Sequence, residues 1–499
     1  MTTEPCDLTA LEARRLIGRR ALSPVELLES CLARIGAVDH AVNAMVALDT
    51  DRARAAARQA EAAAMAGDPL PPLHGLPVGI KDLEETTGLR TTHGSQIFRD
   101  HVPEHDCGMV AKLRAAGGIV IGKTNTPEFG AGANTRNAVY GATGNPFDPA
   151  RSAAGSSGGS AVALATGMAP LCTGSDMAGS LRNPAAYCGI VGFRPSPGLV
   201  PAEKRPQGWS ILGVLGPMAR TVPDLALMLS VMASDDARDP LAYTIHGRVG
   251  RAEPGLFHPV VPADLAPLRL ALSEDLGEAP VERSVREAFR KVAAALRPMF
   301  ARSAEAHPDC AGADEAFQVL RASAYLSAHL EKVRTRPQDV GPNVTGNIEE
   351  GLRYTLEDHA RAASAQTALY RRFQDFFGDH DVLVTPAITV SPRPWRELFP
   401  REIDGVATRS YVHWLALAYY VTLAGHPALS LPVGVDAKGM PFGLQIVGPR
   451  GGDALVLSVA AAIEDAFRGD AALGRPVPDL AALRAAPPIS GMEGFLGFG

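Results

Sequence analysis

Two adjacent serines, Ser156 and Ser157, stand between glycines in "ARSAAGSSGGSAVALATG" (residues 150–167), with Ser160 just beyond. Read literally, Gly155-Ser156-Ser157-Gly158-Gly159 satisfies G-x-S-x-G, in which a nucleophilic serine sits on a sharp turn between a buried strand and a helix. The helix half fits, because "GGSAVALATGM" suits a buried helix. The strand half does not: the upstream "GNPFDPARSAA" carries two prolines and polar residues unsuited to a central strand. Lysine offers a second chemistry. The chain has seven (Lys81, Lys112, Lys123, Lys204, Lys291, Lys332 and Lys438), while arginine supplies the other 41 of its 48 basic residues. Lys81 ends the apolar run "HGLPVGIKD", where burial would depress its pKa and make it a usable general base. The plainer readings are an ion pair with adjacent Asp82 or a side chain that reaches solvent. A third stretch, "TGSDMAGSLRNP" (residues 173–184), ends a predicted strand in small residues beside Ser180. Consecutive amides next to a serine are what an oxyanion hole needs, and also what a glycine-rich turn provides.

Other chemistries lack their signatures. There is no H-E-x-x-H, no Walker A loop and no S-x-x-K at any lysine. Thirteen histidines are dispersed, and the six cysteines (Cys6, Cys31, Cys107, Cys172, Cys188, Cys310) form no C-x-x-C pair. That usage suits reduced thiols better than a disulfide or zinc framework, so neither metal nor cofactor is expected. The net charge of −6 comes with no basic block, which argues against direct nucleic-acid or membrane-surface binding. "ARRLIGRR", the nearest approach to a basic patch, reads as a solvated helix face. The N-terminus has no apolar signal-like core, and "YVHWLALAYYVTLAG" is too short and interrupted for a membrane span. A soluble, cytoplasmic protein is expected.

Around these residues, helical periodicity alternates with short apolar runs, the pattern of an α/β protein. Ser23-Pro24-Val25-Glu26 is a capping box with proline at the first helical position, and "DTDRARAAARQAEAAAMAG" predicts an alanine-rich helix stopped at Gly67. "LPVGIKD", "GIVIGKTN", "CGIVGF", "DVLVTP" and "PALSLPVG" read as buried strands. "PVERSVREAFRKVAAALRPM" and "EEGLRYTLEDHARAASAQTALYRRFQDFF" read as amphipathic helices, and residues 195–215 and 235–265 as loops. The organisation expected is an N-terminal helical region (1–75), one large core (76–485) and a C-terminal tail (486–499). Weak periodicity over 300–350 suggests an insertion that covers a pocket.

"GLPVGIKD", "GSSGGSAVALATG" and "SDMAGSLRNPAAYCGIVGFRPS", spaced 75 residues from Lys81 to Ser156 and 24 from Ser156 to Ser180, resemble the amidase signature family of serine hydrolases. "GGIVIGKTN", "GPMARTVPDLALML", "DVLVTP", "GHPALSLPVG" and "GMPFGLQIVGPRGGDALVLSVAAAIE" extend the likeness from about residue 7 to 470. The resemblance implies one large core with a mixed central β-sheet covered by helices on both faces. It makes Ser180 the nucleophile, Ser156 the bridging serine after a cis peptide bond, and Lys81 the base. Oxyanion donors would be the amides of Met177, Ala178, Gly179 and Ser180, with Ser157, Asp176 and Arg182 in support. The family's usual "TDIGGS" is "SDMAGS" here, so Ser175, Met177 and Ala178 are departures, with position 178 the least secure, and Ala154 stands where glycine is usual.

The reaction so implied is hydrolysis of a linear C–N amide bond through an acyl-enzyme, without metal or cofactor. Its substrate would be a small aryl or alkyl amide, an amino-acid amide or a carbamate, the last making the enzyme a urethanase. A homodimer is compatible with this reading. The glutaminase (A) subunit of a tRNA-dependent amidotransferase is the alternative. Arginine, tryptophan and aliphatic residues in "VPAEKRPQGWSILGVLG" lean toward a stand-alone amidase. A binding-only protein would instead leave a serine probe unreacted.

Overall fold

The apolar runs bounded by turn residues become strands of one sheet. In chain order these are β1 (Met45–Leu48), β2 (Pro77–Lys81), β3 (Ile119–Thr124), β4 (Leu171–Asp176), β5 (Val191–Arg194) and β6 (Val214–Ala219). They continue with β7 (Arg269–Leu272), β8 (Arg302–Glu305), β9 (Val382–Pro386), β10 (Ala428–Val435) and β11 (Pro441–Val447). The computed structural model describes residues 4–242, 244–245, 248–249 and 255–497, so the loop expected over 235–265 lies partly outside the described residues. Spatial order is β1-β3-β2-β4-β6-β5-β10-β11-β9-β7-β8. The sheet is mixed: β2 runs parallel to β3 and β4, and β7 parallel to β8 and β9, whereas the strands between β4 and β9 pair antiparallel. Together with 14 α-helices among the described residues this is the expected α/β architecture.

Local chemistry explains most element ends. The helix Pro24–Val42 starts with the capping box, the Ser23 side chain accepting from the Val25 amide and Glu26 from the Ser23 amide. The helix Thr50–Ala66 stops where Gly67 adopts φ 85°. β2, β3 and β9 are buried throughout, as strands covered on both faces must be.

Two segments depart from the sequence reading. The amphipathic stretch over 349–377 is broken: one helix, Pro342–Gly351, ends and another, Leu356–Asp379, begins at a second capping box formed by Thr355 and Asp358. Residues 300–350 open with β8, an edge strand of the sheet, before the helices Ala313–Thr335 and Pro342–Gly351 rise from it. No helix among the described residues is long and apolar enough to cross a membrane.

Candidate active site

Because β2 and β4 are parallel neighbours, their C-terminal ends lie at the same edge of the sheet. Lys81 ends β2, and Ser175 and Asp176 end β4, so the topology alone brings these groups together. The loop over residues 153–157 crosses that edge and enters the fully buried helix Gly158–Ala165. Its glycines are there for contact: a Cβ at Gly159 would lie 2.2 Å from the Asn125 amide nitrogen. The Gly155–Ser156 peptide bond is cis.

Lys81 Nζ sits 2.8 Å from Ser156 Oγ, 2.9 Å from Ser157 Oγ and 2.9 Å from Ser175 Oγ. The Lys81 amide donates to Thr173 Oγ1 at 2.9 Å, fixing the strand end. The ion pair with Asp82 does not form: Asp82 turns away and accepts from the Thr92 amide and hydroxyl, the latter at 2.6 Å. Lys81 is fully buried, and burial pushes its pKa down against the pull of the Glu84 and Asp176 carboxyls. Three hydroxyls around one nitrogen satisfy it in either form: an ammonium donates to all three, whereas the neutral amine donates to two and accepts from the third.

Ser156, Ser175 and Ser180 line one cavity of about 370 Å³, with Met177, Leu83, Phe129, Val214, Leu215 and Tyr325 among its apolar walls. Ser157 lies behind it, fully buried, its amide donating to the Ser180 carbonyl at 3.3 Å. Ser160 is further back still, donating to the Thr173 carbonyl. The segment from Asp176 to Arg182 is tied down by the Asp176 carboxylate. Its oxygens accept from the Gly179 amide (3.0 Å), the Leu181 amide (3.1 Å), Arg182 Nε (3.0 Å) and Nη2 (2.9 Å), and Arg194 Nη1 (3.2 Å). Burial opposes ionisation of Asp176, but Arg182 and Arg194 outweigh it and hold the carboxyl well below the usual carboxylate range. Arg182 is itself placed by the Ala418 carbonyl, Thr422 and Gln445.

The site residues expected from the sequence therefore fall into three groups. Lys81, Ser156 and Ser157 meet directly. Ser180, Met177 and Ser156 share the cavity. Asp176, at the edge of that cavity, pairs with Arg182 behind it. Of the amides expected to face an oxyanion, that of Gly179 already donates to Asp176. The left-handed conformation in this loop falls on Gly179 (φ 100°) and not on Ala178, so a methyl group at 178 meets no backbone conflict. The unusual residue that does carry positive φ is Ala154 (57°). Thr173, Arg194 and Gln445 join the site without having been expected there, and so does the Ser175 hydroxyl. A signal existed for Ser175, since its hydroxyl stands where the related motif has threonine.

The amidase family model matches residues 26–457. The chain is 35% identical over 460 residues to an acylamidase of Rhodococcus erythropolis, covering 92% of this chain and 95% of that protein. It is 34% identical over 470 residues to one of the subunits of the glutamyl-tRNA(Gln) amidotransferase of a Picosynechococcus species, covering 89% and 95%. Its fold is similar to the crystal structure of a bacterial aryl acylamidase of the amidase signature enzymes, with a TM-score of 0.85 and 25% identity over 96% of this chain and 99% of that one.

Proposed function

The chain belongs to the amidase family, enzymes that hydrolyse linear amide C–N bonds, and on that premise we propose that it is a stand-alone acylamidase working through Ser180, Ser156 and Lys81. The observation that carries the mechanism is the buried Lys81 nitrogen at 2.8 Å from Ser156 Oγ. In this reading Ser180 attacks the amide carbonyl, its proton passes to Ser156, and Ser156 hands its own to neutral Lys81. The oxyanion is met by the amides of Met177, Ala178 and Ser180, with that of Gly179 keeping the loop in place through Asp176. Lys81 then returns a proton through Ser156 to the leaving amine, and water releases the acyl group by the same path. The apolar walls formed by Leu83, Phe129, Met177, Val214, Leu215 and Tyr325 suit an aryl or alkyl group on the substrate. The similarity to a component of the tRNA-dependent amidotransferase keeps a glutaminase as the second reading. A cytoplasmic location suits the six free, buried cysteines.

Purified protein treated with a fluorophosphonate is expected to carry one adduct, on Ser180, and Ser180→Ala to carry none. Ser157→Ala, which removes one of three hydroxyls from Lys81 and leaves Ser156 in place, should fold and retain turnover within about tenfold of wild type, a loss comparable with one hydrogen bond. An adduct on Ser157 would overturn the assignment. Faster hydrolysis of glutamine than of a simple anilide would favour the second reading.

The helices Ala313–Thr335 and Pro342–Gly351 act in this reading as the cover of the cavity. Tyr325 reaches its lining and packs in a cluster with Ala131, Val344 and Ile348. Tyr325→Ala should therefore raise KM for a bulky anilide more than for a small primary amide, while labelling of Ser180 persists. Equal KM changes for both substrates would remove the cover from substrate selection.

A further inference from the structure

Four acidic residues line the cavity, and three of them have strong partners. Glu85 meets His93 and His101, each at 3.2 Å. Glu203 accepts the Gly108 amide at 2.7 Å. Asp176 is saturated by two arginines and two amides. Glu84 differs. Only 7% exposed, it faces the cavity, yet the donor beside its carboxylate is the Cys107 thiol, 4.0 Å away. A thiol is a weak donor. Lys81 and Lys123 exert a field on Glu84, but their N–H groups are engaged elsewhere. Lys81 serves the three serines, and Lys123 donates to the Glu84 backbone carbonyl and, at 2.9 Å, to Thr86 Oγ1. Burial pushes the Glu84 carboxyl up, as it must for an acid held out of water without matching donors.

We propose that Glu84 is a specificity-determining residue that binds an ammonium group carried by the substrate, so that amino-substituted amides are the preferred substrate class. The inference rests on the amidase reading of this site and adds to it the chemistry of the bound molecule. A substrate ammonium placed in the cavity supplies the donors that the carboxylate lacks, and a charge-assisted bond forms where water is largely excluded. The other charged groups do not compete for this role. Arg205 is held by Asp239 and by the Gly208 and Ser210 carbonyls. Lys204, the other cation of the lining, is near enough to Glu85 to add to the lowering of that carboxyl, which His93 dominates.

Two matched substrate pairs test the idea. In the first, the 4-nitroanilides of alanine and of propionic acid differ by an ammonium on the acyl side. In the second, N-(2-aminoethyl)propionamide and N-propylpropionamide differ by one on the leaving-group side. Wild type is expected to favour the amino member of at least one pair by about 10- to 100-fold in kcat/KM, the range of a charge-assisted hydrogen bond. Glu84→Gln should bring that ratio toward one. A wild-type ratio near or below one in both pairs overturns the proposal, and this measurement needs no variant to fold. So does a ratio that survives in Glu84→Gln, or an equal change in both members of a pair, which would report only the field of Glu84 at Lys81. Turnover of the neutral members without discrimination leaves the amidase reading standing and removes the role of Glu84. No turnover of any of the four, with Ser180 unlabelled, removes the amidase reading itself.

Discussion

Lys81→Arg is expected to lose kcat/KM by about 10²–10⁴-fold, the range that general acid–base catalysis contributes. The arginine keeps a positive charge at the end of β2 but cannot give up its proton near neutrality. The three hydroxyls around Nζ would then all face donors, and none could pass a proton on. Because a guanidinium is larger than the buried amine it replaces, Lys81→Met serves as a second variant that removes base and charge together; it should lose as much. In wild type the same group sets the pH profile. Burial lowers the Lys81 pKa while the Glu84 and Asp176 carboxyls raise it, and burial prevails. The base form therefore increases as pH rises, so kcat/KM for a neutral amide should climb with pH and level off once free Lys81 is neutral. That plateau should come well below the ordinary lysine value near 10.4. Steady-state kinetics across pH 5–10, with circular dichroism to verify folding, measures both effects. Near-normal turnover by a folded Lys81→Arg protein would show that Lys81 acts only as a cation, and the proton path through Ser156 would fail.

How far the site could be read in the sequence depends on whether its parts are local. The letters G-S-S-G-G invite an elbow at Ser157, but the residue follows a loop, is fully buried and precedes the helix Gly158–Ala165 without a side-chain capping bond. The prolines upstream carry that information, and the pattern alone does not. Lys81 was legible because it ends an apolar run in a chain that mostly uses arginine, a position it shares with Lys123, and the related motif separates the two. Its partners were legible through the spacing of related motifs. Arg194 and Gln445 were not: they reach Asp176 and Arg182 across the sheet, from β5 and β11, and no local pattern distinguishes them from other polar residues in buried strands. β8 was hidden for the opposite reason. Its side chains are mostly exposed, without alternation, and it is a strand because its backbone pairs with β7. The break between the helices ending at Gly351 and starting at Leu356 did have a signal, since Thr355 and Asp358 form a capping box inside what otherwise reads as one amphipathic run.

Asp176→Asn should cost about 3–5 kcal/mol of stability, the range for breaking a buried charge pair by removing one partner. Both carboxylate oxygens are accepting. Oδ1 receives Gly179 N, Arg182 Nη2 and Arg194 Nη1, and Oδ2 receives Leu181 N and Arg182 Nε. Whichever oxygen becomes an NH₂ group, it faces an amide and an arginine that also donate, and two buried guanidinium groups lose their counter-charge. With an unfolding entropy of roughly 2.1 cal/mol/K per residue, a loss of that size lowers Tm by roughly 3–5 °C in a chain this long. Since Arg182 and Arg194 hold the Asp176 carboxyl below its ordinary value, its contribution is complete above the unfolded-state pKa near 3.9 and is lost as pH falls through the folded value. The gap between wild type and Asp176→Asn should thus be constant from pH 5 to 8 and close in stronger acid. Activity should fall with it, because the Gly179 and Leu181 amides that Asp176 holds flank Ser180 on both sides. Thermal or denaturant unfolding at several pH values, with fluorophosphonate labelling rates beside it, reads both consequences. A variant as stable as wild type at pH 7 that labels at the wild-type rate would mean that the two arginines are balanced by other groups, and Asp176 would lose its place as the anchor of the nucleophile loop.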